Sequence, residues 1–350
     1  MFDKRTIDKI RSLSGEIEQK GKLPNFVLDL IYKKKLFKLF IPKELGGLML
    51  PLPETLRIFD EAARIDGNLG WAITIGSGGG YFYAYMQPDT ASKVFKDKKT
   101  VVAGSGHPSA IAEEIKGGYR VTGQWKYASG APYASIFTAN AIIKSKNKNT
   151  PKMLAFAFNP KQVSIIKDWN AFGMKATESH SFKVDKAFVP HEMTFNLSVK
   201  PRINEPVYNY PFLQFAEASF AALVIGLGRH FIEESKNILF QNKKVWQDDR
   251  YIFVKTKLDE AEKQIQKASN SFYKVVDKSW TQMLKQNKLQ ATLQQEVSKT
   301  SKQTSTTIRK CADELIQYMG MNAIMEDSDI NKVWRDLHTA CQHILLVPFE

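Results

Sequence analysis

The stretch GYRVTGQWKYASG, residues 118–130, opens on Tyr119-Arg120-Val121-Thr122, a β-branched and aromatic run, and closes on Ser129-Gly130, a turn pair. Runs of the same texture follow at 136–143, 153–158 and 182–189, separated by Gly, Asn and Pro. Short strands at near-regular spacing between about Thr100 and Pro190 predict an all-β middle region, a sandwich or a barrel.

Outward from that centre the period changes. On the N-terminal side Ile7, Ile10, Leu13 and Ile17 recur at helical spacing, as do Leu56, Phe59 and Ala63 behind Pro53. Leu23-Pro24, Ile41-Pro42, Gly46-Gly47 and Asp66-Gly67-Asn68 punctuate this helical block. On the C-terminal side Tyr251, Val254, Leu258, Ala261, Ile265, Ala268, Phe272 and Val275 keep a 3-4 spacing, the seam of a long helix in a bundle. The chain is therefore expected to be mainly α with a central β domain: a helical domain over 1–100, a β domain over 101–198 and a helical bundle over 199–350.

Composition narrows the function. The 350 residues are 43% hydrophobic and 25% charged, as in ordinary globular proteins, so collagen-like, disordered and disulfide-scaffold readings fall away. The net charge is +14, but Lys33-Lys34-Lys35, the group Lys93, Lys96, Lys98 and Lys99, and the group Lys144, Lys146 and Lys148 lack the interleaved aromatics of a nucleic-acid groove. They are expected to be solvated surface, and no nucleic-acid partner is expected. The two cysteines, Cys311 and Cys341, have no metal or disulfide spacing. Residues 1–20 carry charges every few positions without an apolar core, and the longest apolar stretch, residues 218–228, is shorter than the ~18 a membrane span needs. A cytoplasmic protein without a membrane partner is expected.

Simple catalytic templates fail. Ser77-Gly78-Gly79-Gly80 has neither a strand before it nor dinucleotide spacing, and close helix packing or a helix break explains it better. Residues 126–130 lack phosphate-loop spacing. The six histidines form no H-E-x-x-H, and there is no G-x-S-x-G, so no metal site and no hydrolase elbow are expected.

Four segments in order give the chain a family likeness. Residues 118–130, residues 169–180 (WNAFGMKATESH) running on to Phe188-Val189-Pro190, residues 41–47 (IPKELGG) and residues 334–343 (WRDLHTACQH) resemble the acyl-CoA dehydrogenase superfamily. The Ala128-Ser129-Gly130 ending is similar to its two-component flavin-dependent monooxygenases, which include the oxygenase components acting on hydroxyphenylacetate, dibenzothiophene and steroid-derived phenols. The resemblance implies an N-terminal helical domain, a middle β-barrel, a C-terminal four-helix bundle, a flavin in the cleft between them and a homotetramer or homodimer. It also implies a reductase that supplies reduced flavin, FMN or FAD, and a small aromatic or enolisable substrate to be hydroxylated with O2.

The resemblance assigns roles. Ser129 matches the hydroxyl placed beside the flavin, where one hydrogen-bond donor delays wasteful loss of peroxide. His343 is the candidate base for the substrate, since imidazole titrates near neutrality. Asp336, two turns earlier and about 10 Å away by helix rise, is too far to orient it. Trp125, Gly130, Trp169, Thr177 and Ser179 are the other expected flavin contacts, and Tyr81, His107 and His338 are weaker pocket candidates.

Two departures keep alternatives open. Arg335-Asp336 is present, but no carboxylate follows before Glu350, where many dehydrogenases carry their base. A dehydrogenase acting on an acyl thioester would need a displaced base, for which Glu217, Glu233 and Glu234 are candidates. Asn242-Lys243-Lys244-Val245-Trp246 stands where relatives hold the adenine end of FAD, which makes FMN or loosely held flavin an option. With the end of the chain at Glu350, that departure also supports a third reading, a binding module without catalysis.

Overall fold

The computed structural model describes residues 2–144 and 152–349. Six helices precede the strands: α1 Lys4–Ser12, α2 Ser14–Lys20, α3 Asn25–Lys33, α4 Leu52–Ile65, α5 Gly67–Gly78 and α6 Pro88–Phe95. The periodic stretch from Ile7 to Ile17 is two helices that meet at Leu13, and Gly21, at φ +59°, closes the second. Ser77 to Gly80 is the expected break, where α5 tightens into a 3-10 segment, and a side chain on Gly79 would come within 2.3 Å of Val102. Lys33, Lys34 and Lys35 are exposed at the end of α3, while Lys146 and Lys148 lie outside the described residues.

Seven strands follow: β1 Val102–Ile115, β2 Gly118–Ala128, β3 Ile136–Ile143, β4 Lys152–Phe158, β5 Ser164–Ile166, β6 His180–Pro190 and β7 Thr194–Phe195. They form one sheet in the order β5-β6-β2-β1-β3-β4-β7, with β1 and β3 parallel and the other neighbours antiparallel. The edge strands β5 and β7 do not pair with each other among the described residues. The sheet nevertheless curls around its own core. Trp125 of β2 lies 5.0 Å from the Phe182 ring of its neighbour β6 and also 5.6 Å from the Phe158 ring of β4, a strand separated from β2 by β1 and β3 in sheet order.

The helices after the sheet are α7 Pro206–Asn209, α8 Phe212–Gln241, α9 Asp248–Gln286, α10 Ala291–Ile316 and α11 Asp329–Cys341. Helix α8 is apolar and long enough to cross a membrane, but 89% of its most apolar window is buried inside the fold, against α4, α5, α9, α10 and α11. The seam on α9 runs through Val254, Leu258, Ala261, Ile265 and Phe272, all buried, with Ser269 and Val276 in place of the expected Ala268 and Val275. A second core, separate from the curled sheet's, joins the N-terminal helices to this bundle. Helix α5 lies where both meet.

Candidate active site

Charge fixes the N-terminal end of α5. Asp66 caps it, Oδ1 accepting from the Asn68 and Leu69 N–H groups at 2.9 and 3.0 Å. Its Oδ2 lies 3.0 Å from the Lys332 ammonium, which also meets Asp336 at 2.7 Å; all three side chains are buried. Burial disfavours the Lys332 charge, but the two carboxylates outweigh it and raise its pKa. Asp336 is pushed up by burial, with Lys332 opposing, and Asp66 stays below its ordinary value because Lys332 and backbone N–H groups outweigh burial.

The same groups hold the loop before β6. Asp336 Oδ1 accepts the Met174 N–H, Asn68 Oδ1 accepts the Ala176 N–H at 2.9 Å, and Arg335 donates to the Phe172 carbonyl at 2.6 Å while pairing with Glu18. The loop lies so close to α11 that a side chain on Gly173 would come within 2.2 Å of the Arg335 carbonyl oxygen. Asp336 is thus locked to Lys332 and Met174.

Held this way, the loop presents hydroxyls to the end of β2. Gly130, at φ +74°, donates its N–H to the Thr177 carbonyl at 2.9 Å. Ser129 Oγ and Ser179 Oγ are 2.7 Å apart, Ser179 Oγ and Thr177 Oγ1 are 2.7 Å apart, and Thr177 donates to the Met174 carbonyl at 2.9 Å. At the other end Trp71 Nε1 of α5 donates to Ser129 Oγ at 2.8 Å. An indole N–H only donates and a carbonyl only accepts, so the ends set the direction of every bond between them. The protons run from Trp71 through Ser129, Ser179 and Thr177 to Met174. Ser129 therefore keeps a lone pair, not the hydrogen expected from the sequence, for a ligand.

Beside this chain lies a cavity of about 200 Å³ between α5, α8 and the sheet. Phe82, Phe195, Phe212, Phe215 and Phe220 supply its aromatic wall. None of its lining residues is ionisable; Thr74, Ser105, Thr138, Asn140 and Ser219 are its polar side chains. Phe220 stands between the cavity and the groups beyond it: its ring is 5.4 Å from Trp71 and 4.0 Å from His343, and neither of these nor Ser129 is itself in the wall.

His343 sits past the end of α11 in a turn, not on the helix as expected, because α11 ends at Cys341. Burial pushes its imidazole down to about 4, so the ring is neutral near pH 7. Nδ1 accepts the Leu345 N–H at 3.3 Å, which places the ring proton on Nε2. That bond is long, so exchanging tautomers costs little.

Of the expected site residues, Ser129, Gly130, Thr177 and Ser179 come together, and Trp169 joins them at the edge by donating Nε1–H to the same Met174 carbonyl at 3.1 Å. Trp125 does not. It is 1% exposed inside the curled sheet and donates to the Asn140 carbonyl at 2.9 Å. The reason is a register shift between Trp125 and Ala128 with Tyr127 at φ +68°, which turns Tyr127 outward, 67% exposed and edge-on to Trp169 at 6.2 Å.

Tyr81 is not a pocket residue either. It is buried and donates to the Tyr210 carbonyl at 2.6 Å, backing Phe212 and Phe215 from behind. His338 is taken up by Asp313 at 2.6 Å and by the Trp334 ring, and does not reach the cavity. His107 is exposed on the irregular part of β1, next to the lining residues Ser105 and Gly106 but not itself in the wall.

The displaced carboxylates are engaged elsewhere. Glu217 accepts from Ser298 and faces Lys302 at 3.4 Å, Glu233 pairs with Arg11 and Arg64, and Glu234 faces His230 at 3.5 Å. None lines the cavity.

Sequence reasoning missed Trp71 and Tyr127. Trp71 sits in GNLGWAITIGSG, where small and apolar residues on every side hide which face matters. A lone indole among them was the available signal, since a buried indole N–H seeks a partner.

The family "Acyl-CoA dehydrogenase, C-terminal domain" matches residues 217–348. Over 341 residues the chain is 24% identical to the indole-3-acetate monooxygenase of Pseudomonas putida, covering 96% of this chain and 87% of that one. It is 22% identical over 355 residues to the flavin-dependent monooxygenase oxygenase subunit HsaA of Mycobacterium tuberculosis, covering 96% and 89%. Among solved structures, HsaA from M. tuberculosis superposes with a TM-score of 0.91 at 20% identity, covering 98% of this chain and 93% of that one. XiaF from Streptomyces sp., in complex with FADH2 and glycerol, gives 0.89 at 18% identity, covering 98% and 89%. The chain has the acyl-CoA dehydrogenase fold, and its likeness to that superfamily, on the side of the two-component flavin-dependent monooxygenases, spans nearly its whole length.

Proposed function

We propose that this chain is the oxygenase component of a two-component flavin-dependent monooxygenase, hydroxylating a small aromatic or enolisable substrate with reduced FMN or FAD supplied by a separate reductase. The observation that carries this reading is the directed hydroxyl chain from Trp71 to Met174 beside an aromatic cavity and a neutral imidazole. The relatives named as flavin-dependent monooxygenases, and the FADH2 in XiaF, support the cofactor and the reductase.

The residues fit a flavin. Tyr127, turned outward in a left-handed backbone, and Trp169, whose rings stand at 80° to each other, offer one aromatic face and one edge to a flat ring, while the Ser129 lone pair offers an acceptor to its nitrogen edge. Thr177, Ser179 and Gly130 hold Ser129 in place. Reduced flavin, when bound, supplies the two electrons with which one atom of O2 enters the substrate and the other leaves as water.

The protein's part is position, dryness and protons. Phe220 and the other cavity phenylalanines keep bulk water from the substrate. His343 is the proposed acceptor for a substrate hydroxyl proton: in the tautomer that frees Nε2 it takes the proton, and the imidazolium so formed donates from Nε2–H to the resulting oxyanion. Dehydrogenation needs a carboxylate facing the substrate, and the candidates Glu217, Glu233 and Glu234 are each paired elsewhere. A helical domain to residue 100, a β domain to 198 and a bundle beyond, assembled as a homotetramer or homodimer in the cytoplasm, complete the proposal.

Isotope labelling tests it. With 18O2, reduced flavin and an aromatic substrate, the product should carry one labelled oxygen. A product whose new oxygen comes from water, or an unsaturated product formed without O2, overturns it.

A further inference from the structure

We infer that the substrate of this chain is an uncharged ring compound, that acids of the same ring are discriminated against, and that a polar edge of the substrate is held by Asn140, Thr138 and Ser105 on the sheet wall. The inference rests on the oxygenase reading and narrows its substrate class.

The charge of the wall carries the first half. Twenty of the described residues line the cavity, and every one of them is aliphatic, aromatic, glycine or a neutral polar residue. The chain has 50 Lys and Arg side chains and a net charge of +14, so a cation at the wall would have been easy to supply. The two rings packed behind Phe220 do not supply one either, because Trp71 is neutral and His343 is held uncharged by burial. A carboxylate entering such a space loses its water and meets no counter-charge, a cost that a neutral ring of the same shape does not bear.

The hydrogen bonds carry the second half. On the helix side the two hydroxyls are already engaged: Thr74 donates to the Gly70 carbonyl and Ser219 to the Phe215 carbonyl, both at 2.8 Å, within their own helices. On the sheet side they are not. Asn140 donates Nδ2–H to the Gly106 carbonyl at 2.8 Å, and among the described residues no donor reaches its Oδ1 and no partner takes the hydroxyls of Thr138 or Ser105. The free polar atoms of the cavity therefore lie on one wall, opposite the phenylalanines of α8. A flat ring with a hydroxyl or N–H on the edge away from the one that faces His343 matches that asymmetry.

Three probes on one ring system separate the terms: 2-naphthol, naphthalene and 2-naphthoate, titrated anaerobically into the full chain at pH 7 with and without reduced FMN. The expected order is naphthol, then naphthalene, with naphthoate weaker than naphthol by about tenfold or more. Asn140→Leu should narrow the naphthol advantage over naphthalene severalfold, and Asn140→Lys should raise naphthoate affinity while leaving naphthalene nearly unchanged. Naphthoate binding within threefold of naphthol in the unaltered chain overturns the charge assignment, and an unchanged naphthol advantage in Asn140→Leu overturns the anchor. Binding is read without turnover, so failure of the oxygenase reading would show separately, as the expected binding order without oxygen transfer.

Discussion

The two parts of α5 sit in opposite surroundings. At its N-terminal end Asp66 faces Lys332 and Asp336 in a buried cluster of full charges. One to three turns further on, Trp71, Thr74, Ile75 and Gly78 face the hydroxyl chain and an uncharged cavity. The charges hold, and the neutral side receives. A buried ion cluster rigidifies only while every member is present, whereas a neutral pocket with a few oriented dipoles leaves room for a ligand to supply the remaining partner.

Breaking the charged side should have the largest effect. Lys332→Met leaves Asp66 and Asp336 buried without their cation, and a loss of roughly 3–5 kcal/mol is expected. Chemical denaturation measures it; an unchanged midpoint would mean that the cluster does not anchor the loop.

Changes on the neutral side should cost less stability and disturb chemistry. Ser129→Ala removes the acceptor, and hydrogen peroxide released per flavin consumed should rise about tenfold, while stability falls by about 1–3 kcal/mol, the cost of leaving the Trp71 N–H without its acceptor. Trp71→Phe leaves the direction of the chain set by the Met174 carbonyl but removes the donor that fills one Ser129 lone pair, and should shift the same ratio in the same direction by less. His343→Ala should lower product yield with flavin binding largely intact.

The pH dependence sharpens the contrast. His343 titrates near 4 in the fold and near 6.5 in the unfolded chain, so between those values only the unfolded chain binds the proton. Stability is lost as pH falls through that window, and His343→Gln should flatten the slope there.

The smallest effect concerns Glu178, which sits between Thr177 and Ser179 at φ +47°, its carboxyl pushed up to about 7 by burial. Its native form holds a proton between about 4.5 and 7 that the unfolded chain releases, so its contribution falls as pH rises through that range. Glu178→Gly relieves both the backbone and the buried charge, and should stabilise by about 1 kcal/mol, more at pH 8 than at pH 5.

The order helices, strands, helices was legible because periods of 3.6 and 2 are local properties. So were Ser129, Gly130, Thr177 and Ser179, as members of two short motifs. Which tryptophan faces the site was not. Strict alternation along β2 would put Trp125 and Tyr127 on one face, and the irregularity after Trp125 separates them. Nor was the pairing of Asp66 with Lys332 legible, since 266 positions separate them. Arg335-Asp336 drew attention as a motif, but Asp336 proves to support the loop rather than His343.

On the oxygenase reading, the directed hydroxyl chain and the aromatic cavity govern how reduced flavin meets oxygen. Rapid mixing of the anaerobic chain and reduced FMN, or FADH2 in parallel, with oxygenated buffer tests it, following the return of oxidised-flavin absorbance. The account predicts a delay that free flavin lacks and that Ser129→Ala shortens. Reoxidation as prompt as that of free flavin, with full release of peroxide and no change in the variant, would contradict it.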